Sequence, residues 1–79
     1  MTARVLFFGA TADIARTREI EIEVSEGFTS GSILQEILEK FPRLTSHKLH
    51  LSINQQYALG DEIVHDEDEL AVFTAVSGG

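Results

Sequence analysis

Residues 19–42 run Glu-Ile-Glu-Ile-Glu-Val-Ser-Glu-Gly-Phe-Thr-Ser-Gly-Ser-Ile-Leu-Gln-Glu-Ile-Leu-Glu-Lys-Phe-Pro, and this one stretch holds a strand, a turn and a helix. From Glu19 to Val24 acid and β-branched residues alternate strictly, so three carboxylates share one side and Ile20, Ile22 and Val24 the other. That pattern is a half-buried strand. Ser25-Glu26-Gly27 closes it. Thr29, Ser30 and Ser32 each suit a helix N-cap, and Ser32 and Gln35 have capping-box spacing. Ile33, Leu34, Ile37, Leu38 and Phe41 then fall on one helical stripe, with Gln35, Glu36, Glu39 and Lys40 outside it. Pro42 ends the helix.

Upstream, Arg4 to Phe8 is short, β-branched and aromatic, and both of its sides, Leu6/Phe8 and Val5/Phe7, are apolar, as in a central strand. Gly9 to Thr17 is small and mixed in character and reads as the connection of a loose hairpin. Downstream, Leu49, Leu51 and Ile53 alternate with His50, Ser52 and Asn54 in a further strand, and Asn54-Gln55-Gln56 reads as a turn. Tyr57-Ala58-Leu59 and Glu62-Ile63-Val64 are short apolar pieces around Gly60-Asp61. Asp66 to Glu69 is a solvated acidic turn leading into a last strand, Leu70 to Phe73. This order predicts an α+β fold: one main helix on one face of a mixed sheet of about five strands, the ubiquitin-like β-grasp arrangement. Residues 1–79 form one domain, with 74–79 as its C-terminal tail.

A chain of 79 residues supports one hydrophobic core. Its apolar runs fall far short of the roughly 20 residues that span a bilayer, and no basic leader with a processing site opens the chain, so the expected location is cytoplasmic. Without cysteine there is no disulfide, thiolate metal site or cysteine nucleophile. A net charge of -7 repels nucleic acid and anionic membranes and calls for a partner with a basic surface.

Side-chain chemistry is sparse. His47, His50 and His65 lack the spacing of a metal site and read as solvated. Ser25, Ser30, Ser32 and Ser52 carry no nucleophile signature. Gly27 and Gly31 flank a helix start without the lysine of a phosphate loop, so Gly31 reads as ordinary turn chemistry. Asp61, Glu62 and Asp66 to Glu69 lack the alternating ligands of a calcium loop, and no metal or cofactor is expected to bind. The end of the chain, Gly78-Gly79, is different. It closely follows a strand, and residues 75–79 fully extended reach about 17 Å at most. Glycine threads a narrow channel because it has no side chain. A terminal carboxylate, once adenylated, is open to displacement of AMP by sulfide or an amine.

The sequence resembles the small-subunit family of molybdopterin synthase, the MoaD-like carriers of the MoaD/ThiS ubiquitin-like family, related to thiamine-pathway sulfur carriers. Val5 to Phe8 resembles that family's opening strand, Ile53-Asn54-Gln55 its middle segment, and Asp68 to Phe73 followed by Val76-Ser77-Gly78-Gly79 its ending. The resemblance implies a sulfur carrier, inactive alone, whose Gly79 is adenylated by an E1-like activating enzyme using ATP. A sulfurtransferase step makes it a thiocarboxylate, which donates sulfur to a pterin precursor in molybdenum cofactor biosynthesis. It implies Ser77 and Gly78 as the slender tail behind Gly79, and Phe8, Tyr57 and Phe73 as apolar positions facing the partner, although Phe8 also suits a plain core. The implied partner is the large synthase subunit, in a heterotetramer, and two exposed apolar sheet faces would suit such pairing.

Two departures from the family stand out. Thr74-Ala75 replaces a pair of prolines, which makes the free tail more flexible, and Glu67 replaces a glycine before the last strand, which predicts different backbone geometry there. The competing readings are a carrier for thiamine or another product, a ubiquitin-like modifier joined to lysines through Gly79, and an interaction module with an inert tail.

Overall fold

A computed structural model of the chain describes residues 1–74, so the expectations for Ala75, Val76, Ser77, Gly78 and Gly79 lie outside the described residues. The elements are β1 (Thr2–Phe7), α1 (Ala10–Ala15), β2 (Glu19–Glu23), α2 (Ser30–Lys40), a 3-10 turn (Pro42–Ser46), β3 (Leu49–Ile53), β4 (Gln56–Tyr57) and β5 (Glu69–Thr74). The sheet order is β2-β1-β5-β3-β4. β1 and β5 run parallel, and the other pairs are antiparallel. This is the expected mixed β-grasp sheet.

Register sorts the side chains between the two faces. Val5 pairs with Ile20 and Leu70, Phe7 with Val72, and Leu51 with Val72. Those strand residues join Ile33 and Ile37 of α2 and Leu44 of the 3-10 turn in one core, where Val5, Ile33, Ile37, Leu44, Leu70 and Val72 are fully buried. One step along each strand lies the opposite face, with Arg4 beside Glu21 and Glu69, Leu6 beside Glu19 and Ala71, and His50 beside Phe73. Helices cover one face only, so the expectation of two exposed apolar faces is corrected to one.

Thr29 is the cap of α2, its hydroxyl accepting the Ser32 N–H at 3.2 Å. Ser30 is buried within the helix, and the Ser32–Gln35 spacing plays no capping part. Residues 60–64 are stitched to the start of α2: the Ser30 N–H donates to Glu62 O, Gly31 N–H to Gly60 O, and Val64 N–H to Phe28 O. Gly31 therefore is not turn chemistry. It lies inside α2, and a Cβ there would meet the Gly60 carbonyl oxygen at 2.9 Å, so the close approach of two backbones requires glycine.

Gly9 to Thr17 is not a loose hairpin connection, because α1 occupies most of it. Gly9 enters with φ +58 and Arg16 leaves in the left-handed region with φ +60. The fully buried Thr11 hydroxyl lies 2.6 Å from Phe8 O and 2.9 Å from Val72 O, which share its single hydrogen. Six residues are too few to show helical periodicity or to hold a helix alone, so packing on β5 and the 3-10 turn stabilises it.

Asn54 and Gln55, with φ +49 and +72, form a two-residue β3–β4 hairpin loop, and Gln56 belongs to β4. Glu67 has φ +68, the left-handed geometry that suits glycine. The turn is held by Asp66, which accepts the Thr2 N–H at 2.9 Å, and by Asp68, which accepts the His65 N–H at 2.8 Å and an Asn54 amide hydrogen at 3.1 Å.

Candidate functional site: the open sheet face and the outlet of the last strand

β5 ends at Thr74 opposite Leu49, and its parallel neighbour β1 ends at the same edge of the sheet, where the Phe8 N–H donates to Val72 O at 3.1 Å. Whatever follows Thr74 leaves from this edge.

Beside that outlet the open face carries an aromatic trio. His50 stacks on Phe73 with ring centroids 5.7 Å apart, Tyr57 meets His50 edge-on at 6.1 Å, and Tyr57 tilts against Phe73 at 5.8 Å. The cause is cross-strand register. His50 is the direct partner of Phe73, and Ser52, two residues on, is the partner of Tyr57, so all three rings rise from the same face. Tyr57 is 74% exposed, which leaves most of its ring available to another surface.

Leu59 stands 89% exposed next to this trio in sequence, on the loop that follows β4. Glu62 fixes that loop: its carboxylate accepts the Ser30 hydroxyl at 2.6 Å and the Leu59 and Gly60 N–H groups at 2.6 and 2.9 Å. These bonds, the Ser30 hydroxyl foremost, lower its pKa from the ordinary 4.5 to about 2.

Of the three expected interface residues, the structure brings Tyr57 and Phe73 together. Phe8 lies at the end of β1 on the same edge as the outlet and is 52% exposed, which removes the plain-core reading for it. His50 is not a merely solvated histidine but the middle of the aromatic trio, and its signal in the sequence was its place in the alternation opposite Leu49, Leu51 and Ile53. The exposure of Leu59 did not follow from the sequence, where Tyr57-Ala58-Leu59 reads only as a short apolar piece. Among the described residues no group of three or more histidines and carboxylates is placed to hold a metal. Arg4 lies farther along the face, 3.0 Å from Glu69 and 3.9 Å from Glu19. The arrangement is an exposed aromatic face beside the end of the last strand.

Residues 5–79 match the ThiS family. The chain is 33% identical over 78 residues to the molybdopterin synthase sulfur carrier subunit of Mycobacterium tuberculosis, covering 95% of this chain and 94% of that one. Among solved structures it is similar to SAMP1 of Haloferax volcanii, with a TM-score of 0.87, 25% identity and full coverage of both chains. It also shares its fold with one chain in the structure of the complex of subunits 1 and 2 of the molybdopterin-converting factor from Helicobacter pylori, at TM-score 0.71, 20% identity and full coverage of both chains. A family match over nearly the whole length and a relative of this identity carry the assignment: the chain belongs to the ThiS family of ubiquitin-like β-grasp proteins and is a homologue of the sulfur carrier subunits of molybdopterin synthase.

Proposed function

We propose that the chain carries sulfur on the carboxyl group of Gly79 and delivers it within a molybdopterin synthase. The carboxylate oxygen of Gly79 attacks the α-phosphate of ATP on an E1-like activating enzyme and expels pyrophosphate, leaving an acyl adenylate. Sulfide then adds to the acyl carbon, AMP departs, and a thiocarboxylate remains. On the large subunit the sulfur passes to the pterin precursor, and water restores the carboxylate. None of these steps asks for a side chain from the carrier, in keeping with a non-catalytic small subunit.

The observation that carries the reading is the geometry of the outlet. β5 ends at the edge that bears Phe8 and adjoins the Tyr57–His50–Phe73 trio, so a protein covering the trio also sits at the end of β5, from which the chain continues. The partner inferred is the large synthase subunit, paired with this chain in a heterotetramer.

The test is the intact mass after incubation with ATP, a sulfide source and an activating enzyme. Sulfur should replace one oxygen in the full chain and not in a chain lacking Gly79. The fold shared with SAMP1 keeps one rival in view, a modifier joined through Gly79 to lysines. Gly79-dependent conjugates of higher mass would favour that rival.

A further inference from the structure

The charges of this acidic protein are not mixed evenly. Four of its six Lys and Arg residues gather where β5 and β1 end. Arg16 caps α1, and Arg18 gives its carbonyl to the Phe7 N–H. Arg43 lies in the 3-10 turn that packs on α1, and Lys48 precedes Leu49, the partner of Thr74. All four side chains are exposed, and among the described residues none has a carboxylate within ion-pair distance. Arg4 lies away from this edge and has two acidic partners, and Lys40 lines a depression with Glu21, Glu23, Glu36 and Glu39. With Asp13 and Glu19 counted in, residues 7–19, 41–50 and 72–74 sum to +2, and the rest of the chain to -9, which together give the net -7.

Segregation of this kind has a physical consequence. A uniformly acidic carrier would approach a partner in any orientation, whereas this one presents a single positive pole, the one from which the tail leaves. We propose that this pole is a docking collar for carboxylates rimming the channel mouth of the activating enzyme that receives the tail. The inference rests on the carrier reading above. When the tail is fully extended, the phosphates of ATP at its end lie up to about 17 Å from the collar, beyond the Debye length of about 8 Å in physiological salt, so they are not what the collar meets. Nor does the collar suit a long polyanion, which the -9 remainder repels. A local acidic rim meets the collar without facing that remainder.

The experiment is steady-state adenylation with the activating enzyme, followed by pyrophosphate release, comparing the wild-type chain with R18Q/R43Q/K48Q and, as control, R4Q, at several salt concentrations. Thermal unfolding verifies that each variant is folded, which exposed sites make the expected result. The collar predicts that KM for the triple variant rises roughly tenfold at low salt, that its salt dependence flattens, and that kcat and the R4Q control stay unchanged. An unchanged KM overturns the collar while leaving the carrier reading intact. A lowered KM also overturns it, since that is what a basic channel mouth would give. No adenylation of the wild-type chain overturns the carrier reading and the collar with it.

Discussion

Gly31 and Glu62 show how much of the loop that carries Leu59 depends on single contacts. Gly31 brings the helix within hydrogen-bonding distance of Gly60, and Glu62 ties Ser30, Leu59 and Gly60 into one cluster. Gly31→Ala should destabilise the fold by about 1–3 kcal/mol despite alanine's better helix propensity, because the new methyl meets backbone that has nowhere to retreat. Chemical denaturation measures it. For Glu62 the folded pKa lies below the unfolded one, so its stabilising effect is complete above about pH 4.5 and fades as pH falls toward about 2. Melting curves across that window should fall less steeply for Glu62→Gln, which should also be less stable than wild type at neutral pH. Neither role shows in the sequence. A glycine and a glutamate near turns look ordinary until a segment thirty residues away is placed against them.

At the scale of elements, strict alternation or a full helical stripe was legible, and short pieces were not. β2, α2 and β3 repeat their period often enough to be recognised, and the face each buries followed from the same pattern, while the central strands β1 and β5 were legible as apolar runs. α1 has six residues, and its anchor is the hydroxyl of Thr11 on β5, a long-range contact that no local periodicity encodes. The β3–β4 hairpin is a second case. Asn54-Gln55 takes positive φ at both positions, where Asn-Gly would be the favoured pair. Gln55→Gly should therefore stabilise the protein by about 0.5–1 kcal/mol, seen as a raised melting temperature. That hairpin also sets Tyr57 beside His50 and Phe73. Tyr57→Ala should weaken binding to a large synthase subunit by about 10- to 100-fold, read by calorimetry, and change folding stability by no more than about 0.5 kcal/mol, because the ring is largely in solvent.

For the whole molecule, composition and pattern alone determined a small single-core α+β domain with a β-grasp order of elements, an acidic surface and a terminal Gly-Gly beyond the last strand. These follow from local rules: side-chain period sets the element, and the count of apolar residues sets the number of cores. Only the tertiary structure decided that one sheet face stays open, that His50 stands between Tyr57 and Phe73, and that Leu59 is held out from the fold. The same holds for the four cations, Arg16, Arg18, Arg43 and Lys48, that share a pole with the end of β5 while the acids lie mostly elsewhere. Each of these depends on which strands become neighbours and in which register. Pairing joins residues tens of positions apart, so the side chains that meet across the sheet are chosen by hydrogen-bonded alignment and core packing, which no local window of the chain contains.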